Sequence, residues 1–328
     1  MLPSKLKLKK IKGDASFRYF YRKKNNDNKK SIIVYANKEK EKNLLIYDAI
    51  NSLLIKNKIL APKLYNENYN ENFIEIEDFG DDTVLNLLRK KDSNKINLYK
   101  KSIDLLNKIQ KIKQNKTKTF QGKNYKIPIY DNNQLFNEAK LFSDWYAKKY
   151  VPKKKILNFN IEINKQIKLL LSKLKSKNDL FVHRDFHVSN LMKYKKQLAT
   201  IDTQDALIGN RAYDLASLID DVRFKSNKNF KDSVYNYYLK LNKKKINEVI
   251  LLADFEILSV LRNMKIIGIF TRLAVRDNKT KYLKLIPYSW KLIELRIKKN
   301  KIFDDLKRLL DLNFPSKIRN FKWKLTLH

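Results

Sequence analysis

The chain has 328 residues, 43% of them hydrophobic and 12% aromatic, which fits a folded globule with a sizeable core and argues against a disordered chain. Its 72 Lys and Arg against 34 Asp and Glu give a formal charge of +38, and it has no Cys, which excludes disulfides and thiolate metal sites. The lysines run along the whole chain beside many Asn and Ile, so the charge reads as a solvated surface rather than a dedicated nucleic-acid patch.

The first eighty residues read as a small α/β lobe. Phe17-Arg18-Tyr19-Phe20-Tyr21-Arg22 alternates like a strand, Asn26-Asp27-Asn28 turns, and Ser31-Ile32-Ile33-Val34-Tyr35 follows as a second strand. Apolar residues at 44, 45, 46, 49, 50, 53 and 54 give a helix over 42–56. Leu64-Tyr65 and Phe73-Ile74-Glu75-Ile76 are two more strands, and Glu77-Asp78-Phe79-Gly80-Asp81-Asp82 is a connector. After residue 83 the period is helical: 83–91, 95–113, 132–149, 160–176, 212–223, 228–240, 246–276, 287–298 and 302–311. The fold expected is α+β and bilobed, with a small antiparallel-sheet lobe over 1–80 and a larger, mostly helical lobe over 81–328.

The longest apolar runs, Ile257 to Leu261 and Ile266 to Phe270, are bounded by Arg262 and Lys265, well short of the ~20 residues that span a bilayer. The first residues, Met1-Leu2-Pro3-Ser4-Lys5, have no apolar core of a secretory signal. A cytoplasmic protein with no membrane partner is expected.

Inside the helical half, Leu180-Phe181-Val182 leads into His183-Arg184-Asp185-Phe186-His187-Val188-Ser189-Asn190, and Leu198-Ala199-Thr200-Ile201 leads into Asp202. H-x-D-x-x-x-x-N followed by a strand ending in Asp is the layout of a kinase catalytic loop and its metal-binding carboxylate. Phosphoryl transfer from ATP needs a carboxylate beside the attacking hydroxyl, here Asp185. It also needs hard oxygens that hold Mg²⁺ against the phosphates, here Asn190 and Asp202, brought together by a hairpin.

With this loop and element order, the chain resembles the aminoglycoside phosphotransferase and choline kinase superfamily of protein-kinase-like small-molecule kinases. Gly13-Asp14-Ala15-Ser16-Phe17-Arg18, Glu77 to Asp81, Phe142-Ser143-Asp144-Trp145-Tyr146, Asp202 to Ala206, Tyr213 to Leu218 and Gly268 to Leu273 resemble one branch. That branch is the bacterial cell-wall-recycling amino-sugar kinases, which phosphorylate the anomeric hydroxyl of N-acetylmuramate and N-acetylglucosamine. The resemblance implies ATP and Mg²⁺ as cofactors and a small-molecule amino sugar as acceptor. It implies that Asp14, Ala15, Ser16 and Phe17 lie over the phosphates and that Glu77, Asp78 and Phe79 border adenine.

Two departures from the kinase pattern stand out. The nucleotide loop has a single Gly, and the strand 31–35 does not end in Ala-x-Lys, which leaves Lys38 as the nearest lysine for a phosphate. His183 is read as orienting the loop, and Asp214 as support for it or as a helix cap. Trp145, His187, Asp205 and Arg211 are candidate acceptor contacts, with Asp205 alternatively fixing the turn. On helical geometry Trp145 and Tyr146 point in different directions, so at most one faces a sugar. The rival readings are a kinase for aminoglycoside, choline, homoserine or another sugar, and a pseudokinase or basic nucleic-acid-binding protein. Oligomeric state is open.

Overall fold

The computed structural model describes residues 8–11, 18–24, 30–36, 43–244, 246–298 and 300–321. They form two compact units that are interleaved in sequence: residues up to 128 with 180–208, and residues 129–179 with 209 onwards.

The first unit opens on three strands, β1 (Leu8–Ile11), β2 (Arg18–Lys24) and β3 (Lys30–Ala36), followed by helix α1 (Asn43–Lys56) and strands β4 (Leu64–Asn68) and β5 (Phe73–Glu77). They make a five-stranded sheet in the order β1-β2-β3-β5-β4, antiparallel throughout. The β-branched run Ile32-Ile33-Val34 is buried, as a central strand requires. Its inward residues, with Ala36, Ile74 and Ile76, close a core against Leu44 and Tyr47 of α1. The expected order of strand, strand, helix, strand, strand is met, with β1 added at the edge.

Short helices α2 (Val84–Arg89) and α3 (Lys95–Ile109) and the small ribbon β6 (Lys116–Lys118) with β7 (Asn124–Lys126) follow. Thr83 caps α2 by accepting from the Asn86 N–H at 3.0 Å. The hairpin β9 (Leu191–Tyr194) and β10 (Gln197–Thr200) belongs to this unit, with Leu191 registered on Thr200. Lys195 turns it at φ +54°. The hairpin docks by backbone bonds, from Thr200 N–H to the Leu60 carbonyl at 2.9 Å and from Lys193 N–H to the Asp82 carbonyl at 2.8 Å. The chain passes between the two units within strands β8 (Asn178–Val182) and β11 (Leu207–Asn210).

The second unit is helical: α4 (Asn132–Ala139), α5 (Lys148–Tyr150), α6 (Ile156–Ser172), α7 (Ala212–Ile219), α8 (Lys228–Asn242), the 28-residue α9 (Glu248–Val275), α10 (Ile286–Ile297), α11 (Asp304–Asn313) and α12 (Ser316–Arg319). The helix expected over 132–149 is present, with a π-helical turn over Phe142–Ala147 set between α4 and α5. The cause is tertiary. A Cβ on Gly268 of α9 would lie 2.3 Å from the Leu141 carbonyl carbon and 2.6 Å from the Phe142 nitrogen, so the widened turn rests directly on α9 backbone. Phe142 and Tyr146 pack with Trp290 and Phe314, and the Trp290 Nε1–H donates to the Tyr146 hydroxyl at 3.1 Å.

Two buried acids hold this unit together. Asp254 accepts from the Lys175 and Ser176 N–H groups at 3.0 and 2.8 Å and from Asn210 Nδ2 at 2.8 Å. Asp220 takes Arg296 Nε at 2.8 Å, Lys231 Nζ at 3.0 Å and the Ser259 hydroxyl at 2.6 Å. Burial alone would push the Asp220 carboxyl up, but Lys231 and Arg296 outweigh it and hold the acid well below the usual carboxylate range.

Candidate active site

The loop after β8 is stitched by its own backbone. Arg184 adopts φ +73°, which reverses the chain between His183 and Asp185. The His187 N–H donates to the Asp185 carbonyl at 3.0 Å, and the Asn190 N–H to the His187 carbonyl at 2.9 Å. The Asn190 side-chain amide also donates to the Asp185 carbonyl, at 3.1 Å. That bond uses Nδ2 and not the amide oxygen. The Leu85 N–H, in the first turn of α2, reaches the Val188 carbonyl at 2.9 Å.

The far end of the hairpin returns to this loop. The Ile201 N–H donates to the Asn190 carbonyl at 3.0 Å, which brings Asp202 beside Asn190. Asp202 itself has φ +62°, so its side chain leaves the strand direction. His183 is fully buried, with Nε2 2.6 Å from Thr200 Oγ1 and 3.1 Å from the Ile201 carbonyl. Burial pulls its pKa below the ordinary histidine value, against the opposing pull of Asp185 and Asp202, so the ring is neutral at pH 7. It ties the start of the loop to the strand that presents Asp202.

The hard oxygens of Asp202 and Asn190 suit Mg²⁺, which takes one or two protein ligands and completes its shell with water and phosphate. Among the described residues no group of three His, Cys, Asp or Glu side chains converges as a closed metal cage.

A cation from the sheet meets this pair. Arg18, 7% exposed, places one guanidinium nitrogen 2.8 Å from Asp202 Oδ1 and the other 2.8 Å from Gln204 Oε1. Helix α1 supports the same segment. The Thr203 hydroxyl donates to Asn51 Oδ1 at 2.6 Å, and the Tyr47 hydroxyl, pushed up to about 12 by burial, bonds the Asp202 backbone. Sequence reasoning assigned Arg18 no role. The signal was its place on β2: Arg18, Phe20 and Arg22 share one face, and Phe20 packs on the core.

The connector is gripped by Arg22, which the sequence reading also left without a role. Its guanidinium spans Asp78, Asp81 and the Gly80 carbonyl. Gly80 turns at φ +82°. Glu77 accepts from the Tyr194 hydroxyl at 3.0 Å. Phe79 is buried with Met192 and Ala199, bordered by Leu60, Tyr194 and Ile201. This apolar patch lies along the face of the hairpin that carries Asp202.

The remaining expected residues fall as follows. Asp14, Ala15, Ser16, Phe17 and Lys38 lie outside the described residues. Asp205 is partly exposed, 3.5 Å from Arg184 and accepting from Gln204 Nε2 at 2.6 Å. His187 is buried in the loop. Trp145, Arg211 and Asp214 lie in the second unit. Trp145 is half-buried on the π-turn while its neighbour Tyr146 is in the core. Asp214 is fully buried in the first turn of α7; the cap position of that helix is Arg211, which makes no side-chain cap bond, and the Ala212 N–H donates to Asn210 Oδ1 at 2.9 Å.

The family model for the phosphotransferase enzyme family matches residues 7–247, and the chain belongs to that family. It is an enzyme of the phosphotransferase class, with the protein-kinase-like α+β fold that its catalytic loop led one to expect. Over 304 residues it is 26% identical to an N-acetylmuramate/N-acetylglucosamine kinase of Pseudomonas aeruginosa, covering 90% of this chain and 86% of that one. It is 27% identical over 281 residues to the same-named kinase of Neisseria meningitidis, covering 84% and 80%. Among solved structures it is similar to a choline kinase of Cryptosporidium parvum, at TM-score 0.61 and 13% identity, covering 94% of this chain and 93% of that one. It is also similar to an ADP-bound aminoglycoside phosphotransferase, at TM-score 0.57 and 14% identity, covering 89% and 93%.

Proposed function

We propose that the protein is an ATP- and Mg²⁺-dependent kinase that phosphorylates the anomeric hydroxyl of N-acetylmuramate, N-acetylglucosamine or both, giving the sugar 1-phosphate in cytoplasmic peptidoglycan recycling. The observation that carries this reading is one loop holding Asp185, Asn190 and Asp202 in register, in a chain whose curated relatives bear that substrate pair in their names. Residues 1–80 act as the nucleotide-binding part, and 81–328 supply the catalytic loop and the acceptor site.

Asp185 orients the acceptor hydroxyl and takes its proton as the bond to phosphorus forms. An anomeric hydroxyl is more acidic than an ordinary alcohol, which eases that proton transfer, and such help is typically worth ~10² to 10⁴ in rate. Asn190 and Asp202 hold Mg²⁺, which when bound neutralises phosphate charge in the transfer. Glu77, Asp78 and Phe79 border the adenine with the apolar Met192 and Ala199 beside them. The Asp14–Phe17 turn covers the phosphates. Trp145, His187, Asp205 and Arg211 contribute to the acceptor side, while His183 and Asp214 stay structural. No covalent enzyme intermediate is required, and rate comes from positioning and charge stabilisation.

The test is ADP release by the purified protein with ATP and Mg²⁺ across N-acetylmuramate, N-acetylglucosamine, glucose, choline and kanamycin, with Asp185→Ala as control. Turnover on the two N-acetylated sugars alone, giving an acid-labile sugar phosphate and lost in the variant, supports the reading. Turnover on choline or kanamycin instead, or on no sugar, overturns the substrate while leaving a phosphotransferase.

A further inference from the structure

A protein kinase draws its phosphate-binding cation from a lysine on the third strand, paired to a glutamate on the helix that follows. Here the described residues of β3 run Lys30-Ser31-Ile32-Ile33-Val34-Tyr35-Ala36, and their one cation, Lys30, is exposed at the start of the strand. Helix α1, Asn43 to Lys56, has no glutamate. Both halves of the usual ion pair are therefore missing from these two elements.

What stands in that position comes from the neighbouring strand. Arg18 is the first residue of β2 and is registered opposite Ala36, the last residue of β3. Its guanidinium lies over the rings of Tyr47 and Phe20 at 5.7 and 5.8 Å, so α1 and β2 supply aromatic packing for it. Its two terminal nitrogens are fixed on Asp202 and Gln204, each at 2.8 Å. Arg18 also follows directly on Asp14 to Phe17 in the sequence.

Resting on the kinase reading above, we propose that Arg18 is the nucleotide-phosphate cation of this enzyme, binding ATP phosphate oxygens while it sets the orientation of Asp202. A lysine ammonium is a compact point charge, whereas a guanidinium presents five donors in a rigid fork. One arginine can therefore hold a carboxylate, an amide oxygen and a phosphate together in fixed directions. The tie to Asp202 couples the position of the metal ligand to that of the phosphate. Lys38, the sequence candidate for this role, becomes dispensable.

The test separates phosphate contact from a purely structural clamp by measuring binding without metal. ADP and adenosine are titrated by calorimetry in EDTA into the full-length wild type, Arg18→Met, Arg18→Lys and Lys38→Met, with thermal melting of each. The expected result is that wild type binds ADP more tightly than adenosine. Arg18→Met loses on the order of tenfold or more of ADP affinity with adenosine unchanged, as loss of a charge-assisted bond predicts. Arg18→Lys, which keeps the buried charge and secures the comparison if the methionine variant does not fold, falls between them, and Lys38→Met matches wild type. Folded Arg18 variants that keep the wild-type ADP-to-adenosine ratio overturn the proposal and leave the kinase reading standing. A wild type that binds ADP neither in EDTA nor with Mg²⁺ overturns both.

Discussion

Arg22 on β2 holds Asp78 in the connector by two guanidinium bonds, Nε to Oδ2 at 2.5 Å and Nη2 to Oδ1 at 3.1 Å, while the Asp78 side chain is only 3% exposed. The same arginine reaches Asp81 and the Gly80 carbonyl, so one side chain fixes the path of the chain from β5 to α2. Removing it leaves a buried carboxylate without its cation. Arg22→Met is expected to destabilise the protein by about 2 kcal/mol, the scale of a charged hydrogen bond lost from a buried group. Urea unfolding at pH 7.5 checks this. A variant as stable as wild type means that the other contacts of the connector hold it without this arginine.

Asp185→Asn removes the proton acceptor but keeps the shape of the loop, because the bonds from His187 and Asn190 go to the Asp185 backbone carbonyl. Turnover is expected to fall by ~10² to 10⁴. ADP affinity, read by calorimetry, stays within about twofold of wild type. A parallel loss of ADP binding makes Asp185 a nucleotide contact instead of the base.

Gly268→Ala has opposite expected signs on two arguments. Helix propensity alone favours alanine by about 1 kcal/mol. The new methyl carbon, however, meets the Leu141 carbonyl carbon at 2.3 Å and its oxygen at 2.4 Å, and backbone cannot swing aside as a side chain can. Overpacking wins, and a loss of about 3 kcal/mol is expected in chemical denaturation. A stabilised variant requires the π-turn to move off α9 at little cost.

The Asp220 cluster sets a pH dependence. Its carboxyl titrates below the usual range in the folded protein, so the unfolded chain binds the proton more readily. The stability it contributes is present above about pH 3.9, the unfolded value, and is lost as pH falls below it. Asp220→Asn leaves Lys231 and Arg296 buried without their acid, with an expected cost of about 3–5 kcal/mol at pH 7. Unfolding midpoints measured from pH 7 down to pH 3 should show the gap between wild type and variant narrowing at the acid end. A constant gap assigns the loss to packing.

Chemistry carried by neighbours in sequence was legible; chemistry assembled from distant segments was not. His183, Asp185 and Asn190 lie within one loop, and their spacing already implied the turn that the backbone bonds then make. The hairpin into Asp202 was visible because Leu191-Met192 and Leu198 to Ile201 are two apolar runs around a polar turn. Arg18 meets Asp202 across 184 positions of sequence, and its alternation with Phe20 on β2 marks the face it shares but not its partner. The π-turn inside the helix expected over 132–149 was hidden for the same reason. It packs against Gly268, on a helix more than a hundred residues later.

The interleaving of the first unit orders events during synthesis. Its sheet and α2 leave the ribosome early, but the strand pair that bonds to Leu60 and Asp82 is encoded at 191–200, after the whole stretch 129–179 of the other unit. The Leu60 and Asp82 carbonyls must wait in water, or on a chaperone, until that distant ribbon arrives. A gene cut after Pro128 therefore yields a half-closed fragment, whereas one that runs through Ile208 delivers every piece the first unit needs.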